Sequence, residues 1–279
     1  MKRTIPLGCL KAILVIISLT SAHIGSAQKF AMGIKAGASV SISSFGDKED
    51  NDTYSNLWKP GYFGAALVNF PLKDNFSFQV EAGFSQRGRK IKFNEATWSN
   101  NASYQFLDAS MLLRKSYPLR WSKNIKGTWF FNVGPKVSYW LTGKGTITSG
   151  GSYNYDLNFS TQPDNPGLPD FNVMYMTDVN RWLFGIDFGI GVDAPTLALQ
   201  RFIIEVRFTS GHTFYGTKDS AFNRTLGFND NLRANEKIIS FSVDYALNRE
   251  VRGGLKGGST KSKGSKKPKP RKSIDSLLR

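Results

Sequence analysis

Residues 182–193 read WLFGIDFGIGVD, and this stretch decides the fold class. Large apolar side chains occupy every second position: Trp182, Phe184, Ile186, Phe188, Ile190 and Val192. Small or acidic residues stand between them: Asp187, Gly189, Gly191 and Asp193. Successive side chains of a β-strand face opposite sides of the sheet, so this spacing predicts a strand with one apolar face. Its length matches the roughly 9–11 residues with which a barrel strand crosses a bilayer.

Seven other segments are predicted strands: six show this alternation, whereas 62–70 is apolar on both faces and rich in small residues. They cover residues 30–42, 62–70, 76–85, 104–117, 129–141, 202–209 and 239–247. The mean hydropathy of −0.30 is typical of soluble proteins. A barrel strand, however, needs apolar side chains only at alternate positions, so this average does not exclude a membrane protein. The pattern predicts an all-β fold, an eight-stranded antiparallel up-and-down transmembrane β-barrel.

The connections between these segments fall into two length classes. Short ones lie at 71–75, 118–127 and 194–200, and long ones at 43–57, 87–103, 143–180 and 211–236. The two classes alternate along the chain. Outer-membrane barrels have short periplasmic turns and long extracellular loops, so the order predicts an outer-membrane protein with both termini in the periplasm.

Period two does not say which face of each strand points outward, so a secreted lipocalin-like barrel with an apolar interior is the alternative. The polar face carries charges of both signs: Lys35, Arg87, Arg114, Lys136, Arg207, Glu81, Asp108, Asp187, Glu205 and Asp244. A charge buried alone is costly, whereas opposite charges in a polar lumen can pair. We therefore favour the membrane barrel and expect Glu81, Glu205, Arg114 and Arg207 to share a paired network. Trp129 and Trp182 lie near strand ends, as aromatic girdles require.

The first 27 residues have the pattern of a secretory signal peptide. Lys2 and Arg3 precede a short apolar run at 12–19, and Gly25 and Ala27 supply the small residues before a cut at Gln28. A transmembrane anchor is the alternative, but it needs roughly 20 apolar residues. The chain's one cysteine, Cys9, lies within this segment, so the mature chain is predicted to contain no disulfide and no cysteine-based metal site.

The C-terminal segment 249–279 carries most of the positive charge. Of the formal net charge of +16, this segment holds 11 basic and 2 acidic residues, which leaves residues 28–248, the predicted barrel, only mildly basic. Its glycines and dense lysines predict a disordered periplasmic tail. The candidate partner-binding residues are Lys261, Lys263, Lys266, Lys267, Lys269, Arg271 and Lys272. We expect peptidoglycan or a periplasmic protein as the partner and no nucleic acid, because nucleic acid is not expected in that compartment.

Short motifs resemble those of the PorT-like outer-membrane β-barrel family of Bacteroidota over nearly all of residues 28–248. They lie at 33–37, 81–88, 134–139, 187–192, 205–208 and 240–245. The chain departs from the family at 107–110, which reads LDAS where the family has a segment closer to Leu-Glu-Ile-Pro, and in its long C-terminal tail. The resemblance implies an outer-membrane barrel. The family is functionally broad, and only its namesake is tied to type IX secretion and gliding.

Candidate contacts with lipopolysaccharide follow the third segment, at the predicted outer rim: Arg87, Arg89, Lys90 and Lys92. Their positive charges would meet phosphates and sugar acids, although a merely solvated rim is the plain alternative. His212, beside Ser210, Asp219 and Ser220, is the only feature that suggests a catalytic site at the rim, and we expect no enzyme and no cofactor.

Two functions therefore remain open. A non-enzymatic envelope or secretion-associated component, acting through its loops and tail, is favoured. A small-ligand channel or binding barrel is the alternative, although side chains fill the interior of an eight-stranded barrel.

Overall fold

The computed structural model describes residues 29–93, 98–120, 126–160, 172–197, 200–217 and 232–250, all of which belong to one compact unit. These residues form eleven strands and one short helix. In chain order they are β1 (Lys29–Phe45), α1 (Lys48–Thr53), β2 (Tyr54–Leu57), β3 (Lys59–Pro71), β4 (Phe76–Phe93), β5 (Ser99–Arg120), β6 (Lys126–Thr148), β7 (Ser152–Asn158), β8 (Val173–Tyr175), β9 (Trp182–Leu197), β10 (Gln200–Gly211) and β11 (Ala234–Glu250). The all-β fold is confirmed.

Eight of the strands pair in a closed cycle. In the order β1, β3, β4, β5, β6, β9, β10 and β11, each strand pairs antiparallel with the next, and β11 pairs with β1. We call the end of this cycle where β3–β4, β5–β6 and β9–β10 connect the turn end, and the opposite end the loop end. The three remaining strands lie at the loop end, where β2 pairs with β4, β7 with β6, and β8 with β7.

Apolar side chains cover the outside of the cycle, as the alternation predicts. On β9, Phe184, Phe188 and Ile190 are exposed, whereas Asp187 and Asp193 are buried. Ile34, on β1, is 68% exposed, and its neighbour Lys35 is buried. Exposed apolar side chains on one face and buried charges on the other are the reverse of a soluble barrel. No helix in the described part of the chain is long and apolar enough to cross a membrane.

Aromatic pairs border this apolar band at both ends. Towards the turn end, Tyr117 stacks on Trp129 with ring centroids 4.6 Å apart. Towards the loop end, Tyr139 lies opposite Trp182 at 4.8 Å. Amphipathic rings prefer the boundary between hydrocarbon and water, so these pairs mark the edges of a membrane-spanning band.

One expected long loop is instead a strand hairpin. The connection predicted at 87–103 is mostly strand, since β4 continues to Phe93 and β5 begins at Ser99, with pairing from Arg87↔Tyr104 out to Lys92↔Ser99. Beyond the aromatic border the alternation inverts: Lys90 and Lys92 face outward, and Ile91 is buried inside. The prediction of strands from sequence requires apolar residues on the outer face. That requirement holds only where the outer face meets lipid, so the sequence predicts this part of the strands as loop.

The predicted signal peptide, residues 1–27, lies outside the described residues. Residues 251–279, which hold nearly all of the predicted tail, do so as well. At its start the tail prediction needs a correction, because Arg249 and Glu250 pair with β1 as the last residues of β11. The ladder continues because Lys29 and Phe30 supply partners for both.

Candidate functional site

A charged network occupies the middle of the lumen. The Lys35 ammonium donates to Glu81 Oε1 at 2.7 Å and to Glu205 Oε2 at 2.8 Å, and it lies 3.4 Å from Asp244 Oδ2. The Arg207 guanidinium donates to both oxygens of Glu81, at 2.6 and 2.8 Å, and through Nε to Glu205 at 2.7 Å. Four strands therefore meet through buried ion pairs. The predicted pairing of Glu81 and Glu205 with Arg207 is confirmed.

Small residues on the lumen face make room for this network. A Cβ built at Gly189 would lie 2.4 Å from Asn132 Oδ1 and 2.5 Å from Glu205 Oε1. Asn132 donates to the same carboxylate at 3.1 Å, so a larger residue at position 189 would displace both side chains from the network. Gly189 of the 182–193 motif thus leaves room for the charged side chain of a neighbouring strand.

Arg114 belongs to a separate cluster nearer the turn end, which corrects the prediction that it joins Glu81 and Glu205. Its guanidinium donates to Asp193 Oδ2 at 2.7 Å and lies 3.5 Å from the centroid of the Phe130 ring. Arg201 pairs with the same carboxylate. The register places Arg114 opposite Asn132 on β6, whereas Glu81 lies opposite Ser110, four residues from Arg114 along β5.

A third cluster lies nearer the loop end and removes Arg87 from the candidate lipopolysaccharide contacts. Arg87 is 3% exposed; it donates from Nε to Glu236 at 2.7 Å and from Nη1 to Asp108 at 3.0 Å. Lys136 lies 3.4 Å from the same Asp108. Arg89 is also wrong as a lipid contact, because it is 1% exposed and faces Phe45. Arg87 and Arg89 are separated from Glu81 and Ser85 by even numbers of residues along β4. Side chains at alternate positions share a face, so both arginines point inward.

An apolar cluster, here called the plug, lies beside this third cluster at the loop end. The Arg87 guanidinium sits 3.9 Å from the centroid of the Phe106 ring. The plug consists of Phe45, Ile91, Ala102, Tyr104, Phe106, Trp140, Ile147, Tyr155, Leu157, Met174, Met176, Leu183, Tyr215, Leu232 and Ala234. Trp140 is fully buried, with ring centroids 4.6 Å from Tyr104 and 5.3 Å from Tyr215. Burial, together with nearby Glu236, raises the pKa of the Tyr215 phenol well above its usual range. That residue therefore stays neutral.

The space left among the clusters is small. A cavity of about 50 Å³ lies between Lys35, Glu81, Arg87 and Arg207. This volume accommodates a few water molecules and no sugar or amino acid. Among the described residues, no group of histidine, cysteine or acidic side chains has the arrangement of a metal site.

Two of the four rim candidates remain available on the surface. Lys90 and Lys92 are exposed on the outward face of β4, opposite Asn101 and Ser99 of β5. The seven tail residues proposed for partner binding, from Lys261 to Lys272, lie outside the described residues. His212 is exposed, and Asp219 and Ser220 lie outside the described part of the chain.

An antiparallel cycle with an apolar outer band, aromatic borders and a charged interior defines an outer-membrane-type β-barrel protein. The sequence matches the outer membrane protein beta-barrel domain family over residues 26–213, and the chain belongs to that family. No curated protein matches the sequence.

Solved structures of outer-membrane proteins resemble the chain at low identity. OprG from Pseudomonas aeruginosa is 11% identical, with 81% of this chain and 97% of that chain covered and a TM-score of 0.45. Neisserial surface protein A is 11% identical, with coverages of 78% and 97% and a TM-score of 0.37. Ail from Yersinia pestis is 10% identical, with coverages of 80% and 100% and a TM-score of 0.32.

Proposed function

We propose that this protein is an eight-stranded transmembrane β-barrel of the outer membrane. In this proposal it is a non-enzymatic envelope component with a sealed lumen. The observation that carries the proposal is the closed cycle of eight antiparallel strands, filled inside and apolar outside. A closed cycle leaves no unpaired strand edge in the bilayer, where each unsatisfied backbone group would be costly.

Two barriers in series support a sealed lumen. The ion-paired clusters around Arg114, Lys35 and Arg87 fill the membrane-spanning part, and the plug around Trp140 covers the loop end. Solutes could pass only by breaking these buried ion pairs. Leaving a buried charge without its partner is strongly unfavourable. These contacts favour an envelope component over a small-ligand channel.

Conductance across a planar bilayer tests the sealed lumen. Purified full-length protein is expected to insert without producing steady single-channel steps. The positive control is the double variant Trp140→Ala with Arg87→Met, which removes one ring from the plug and one arginine from the buried ion pairs. It should show conducting steps more often than the unaltered protein. Steady conductance by the unaltered protein would favour the channel instead.

The connections support an orientation with both termini in the periplasm. At the loop end, residues 46–58, 149–181 and 212–233 separate consecutive strands of the cycle, whereas the described β3–β4 turn contains only residues 72–75. Asp74 and Asn75 adopt positive φ in that turn, a conformation that these residue types tolerate. Long connections belong outside the cell in this class. Residues 1–27 are then a secretory signal peptide, and residues 251–279 a basic periplasmic tail.

The tail and the motif resemblance together suggest a role in an assembly. The dense lysines from Lys261 to Lys272 favour peptidoglycan carboxylates or an acidic periplasmic protein. The PorT-like motifs favour a complex related to secretion or gliding in Bacteroidota. Both ideas are tested by mild cross-linking in cells, followed by co-purification and co-sedimentation with peptidoglycan.

The control for that experiment is a chain ending at Glu250, which keeps all of β11. We expect the full chain to retain a partner that the shortened chain loses, and the interaction to weaken as salt screens the lysines. Equal recovery from both chains at low and high salt would remove the tail from the proposal.

A further inference from the structure

The outward face of the sheet beyond the aromatic border forms polar rows across four strands. One row runs from Lys90 on β4 through Asn101 and Thr146 to Asn154 on β7. The next row contains Ser103, Lys144 and Asp156. This face presents ammonium, amide and hydroxyl groups, whereas the opposite face of the same strands packs into the plug.

An open cleft of about 580 Å³ lies on this face. We call it the lysine cleft and define it by Lys59, Asn101, Ser103, Lys144, Asn154 and Asp156. Among the described residues that line the cleft, Asp156 is the single carboxylate. Amide and hydroxyl side chains suit the hydroxyl groups of a sugar. A hydroxyl both donates and accepts hydrogen bonds, and an amide carries an NH₂ donor beside a carbonyl acceptor.

Lysine side chains lie on both sides of this cleft. Lys59 Nζ donates to Asn101 Oδ1 at 2.6 Å, and Lys90 is the strand neighbour of Asn101. Partial burial and the charge of Lys90 lower the pKa of Lys59 from its ordinary value. With Lys144 across the cleft, three ammonium groups face one carboxylate, and an anion would relieve their mutual repulsion.

The height of the lysine cleft limits its occupant. Lys59 precedes Tyr62 by three residues on β3, and the exposed Tyr62 donates to Gln86 at 2.9 Å where the apolar band ends. A strand rises about 3.3 Å per residue and barrel strands tilt by about 35–45°, so Lys59 lies about 7–8 Å beyond that border, at the outer edge of a lipid headgroup layer.

We propose that the lysine cleft binds a phosphorylated sugar of the lipopolysaccharide around the barrel. The proposal rests on the proposed function, which turns the loop end outward. Of the four rim residues suggested by sequence, Lys90 borders the cleft and Lys92 lies one row away, and the structure adds Lys59 and Lys144 to them. The ligand's phosphate meets the ammonium groups, and its hydroxyls meet Asn101 and Asn154.

The direct test is the affinity of full-length protein, folded in detergent micelles, for fluorescently labelled lipopolysaccharide. A lysine near an anionic lipid surface contributes about a fivefold change in affinity, so Lys59→Gln with Lys144→Gln should weaken binding roughly 25-fold. Asp156→Asn should strengthen it by about fivefold, since the one opposing charge is removed. A disturbed fold would weaken binding in both variants.

The matched control removes two exposed lysines elsewhere, Lys73→Gln in the β3–β4 turn and Lys237→Gln on β11. This pair changes the net charge equally and should alter the affinity by less than about twofold, if the site rather than overall charge attracts the ligand. Lipopolysaccharide stripped of phosphate should bind the unaltered protein as weakly as intact lipopolysaccharide binds the cleft variant. Equal effects of the two lysine pairs, or no loss in the cleft variant, would overturn the proposal.

Orientation is measured separately so that the two failures can be told apart. Ser152→Cys, exposed at the start of β7, should react with a membrane-impermeant maleimide on intact cells. Absence of labelling would overturn both the orientation and the cleft proposal, because the cleft would then face away from lipopolysaccharide. Labelling with unchanged affinity in the cleft variant would overturn the cleft proposal alone.

Discussion

Replacing Lys35 by methionine tests the central lumen network most sharply. Methionine is an unbranched side chain one atom shorter than lysine, and it removes the charge and the hydrogen-bond donors. Lys35 is 3% exposed, so water does not readily take the place of the lost ammonium. Before the change, Lys35 pairs with Glu81, Glu205 and Asp244. After it, Arg207 still pairs with Glu81, Glu205 and Asp187, but Asp244 loses its ion pair with Lys35.

The expected loss of folding free energy is about 3–5 kcal/mol, the usual cost of leaving buried charges without their partner. The two short hydrogen bonds at 2.7 and 2.8 Å would by themselves account for about 3–6 kcal/mol, and the recovered desolvation cost of the lysine offsets part of that sum. Glu205→Gln added to Lys35→Met should restore about 1–3 kcal/mol relative to the sum of the single changes, because the two groups are in direct contact.

The assay is urea unfolding of the protein in phospholipid vesicles, followed by tryptophan fluorescence. Lys237→Met is the matched control, since Lys237 is exposed on β11, and it should change the free energy of unfolding by less than about 0.5 kcal/mol. Equal stability of Lys35→Met and the control, or strict additivity in the double variant, would refute the proposed role of the network.

Two further predictions concern the closed cycle and the plug. The folded protein should migrate faster than the boiled protein in SDS gel electrophoresis, because a closed barrel offers no edge strand at which detergent can begin unfolding; identical migration would argue against closure. Trp140→Ala should lower the free energy of unfolding by roughly 3–5 kcal/mol through loss of a fully buried ring, measured in the same urea assay, and a change below about 1 kcal/mol would show that the plug is loosely packed.

The sequence predicts the membrane-spanning strands well because the bilayer imposes one rule on all of them. Phe184 and Ile190 face outward and Asp187 faces inward, as alternation requires. The same rule identifies Glu81, Glu205 and Arg207 as partners, since inward charges of opposite sign need each other. Spacing alone does not give their exact pairing, so the sequence groups Arg114 with Glu81 and Glu205, whereas the structure pairs it with Asp193.

The loop end was harder to predict because its environment reverses the rule. Beyond the aromatic border the outer face meets water, so Lys90 belongs outside and Ile91 inside. Residues 87–92 read RGRKIK and show no alternation of apolar and polar residues, so the pattern gives no signal for a longer strand or for the burial of Arg87 and Arg89. The lysine cleft joins Lys59 to Lys144, which are far apart in sequence, and only the strand register brings them to one face.

The most direct test of a membrane-spanning barrel is a spin-label scan along β9. Residues 28–250 contain no cysteine, so single cysteines at positions 184 to 192 give unambiguous labelling sites. In folded protein in bilayers, labels at Phe184, Ile186, Phe188 and Ile190 should be accessible to oxygen dissolved in lipid and protected from a water-soluble relaxer. Labels at Gly185 and Asp187 should show little access to lipid-dissolved oxygen. Loss of this two-residue oscillation, or preferential contact of the even positions with the water-soluble relaxer, would contradict the account.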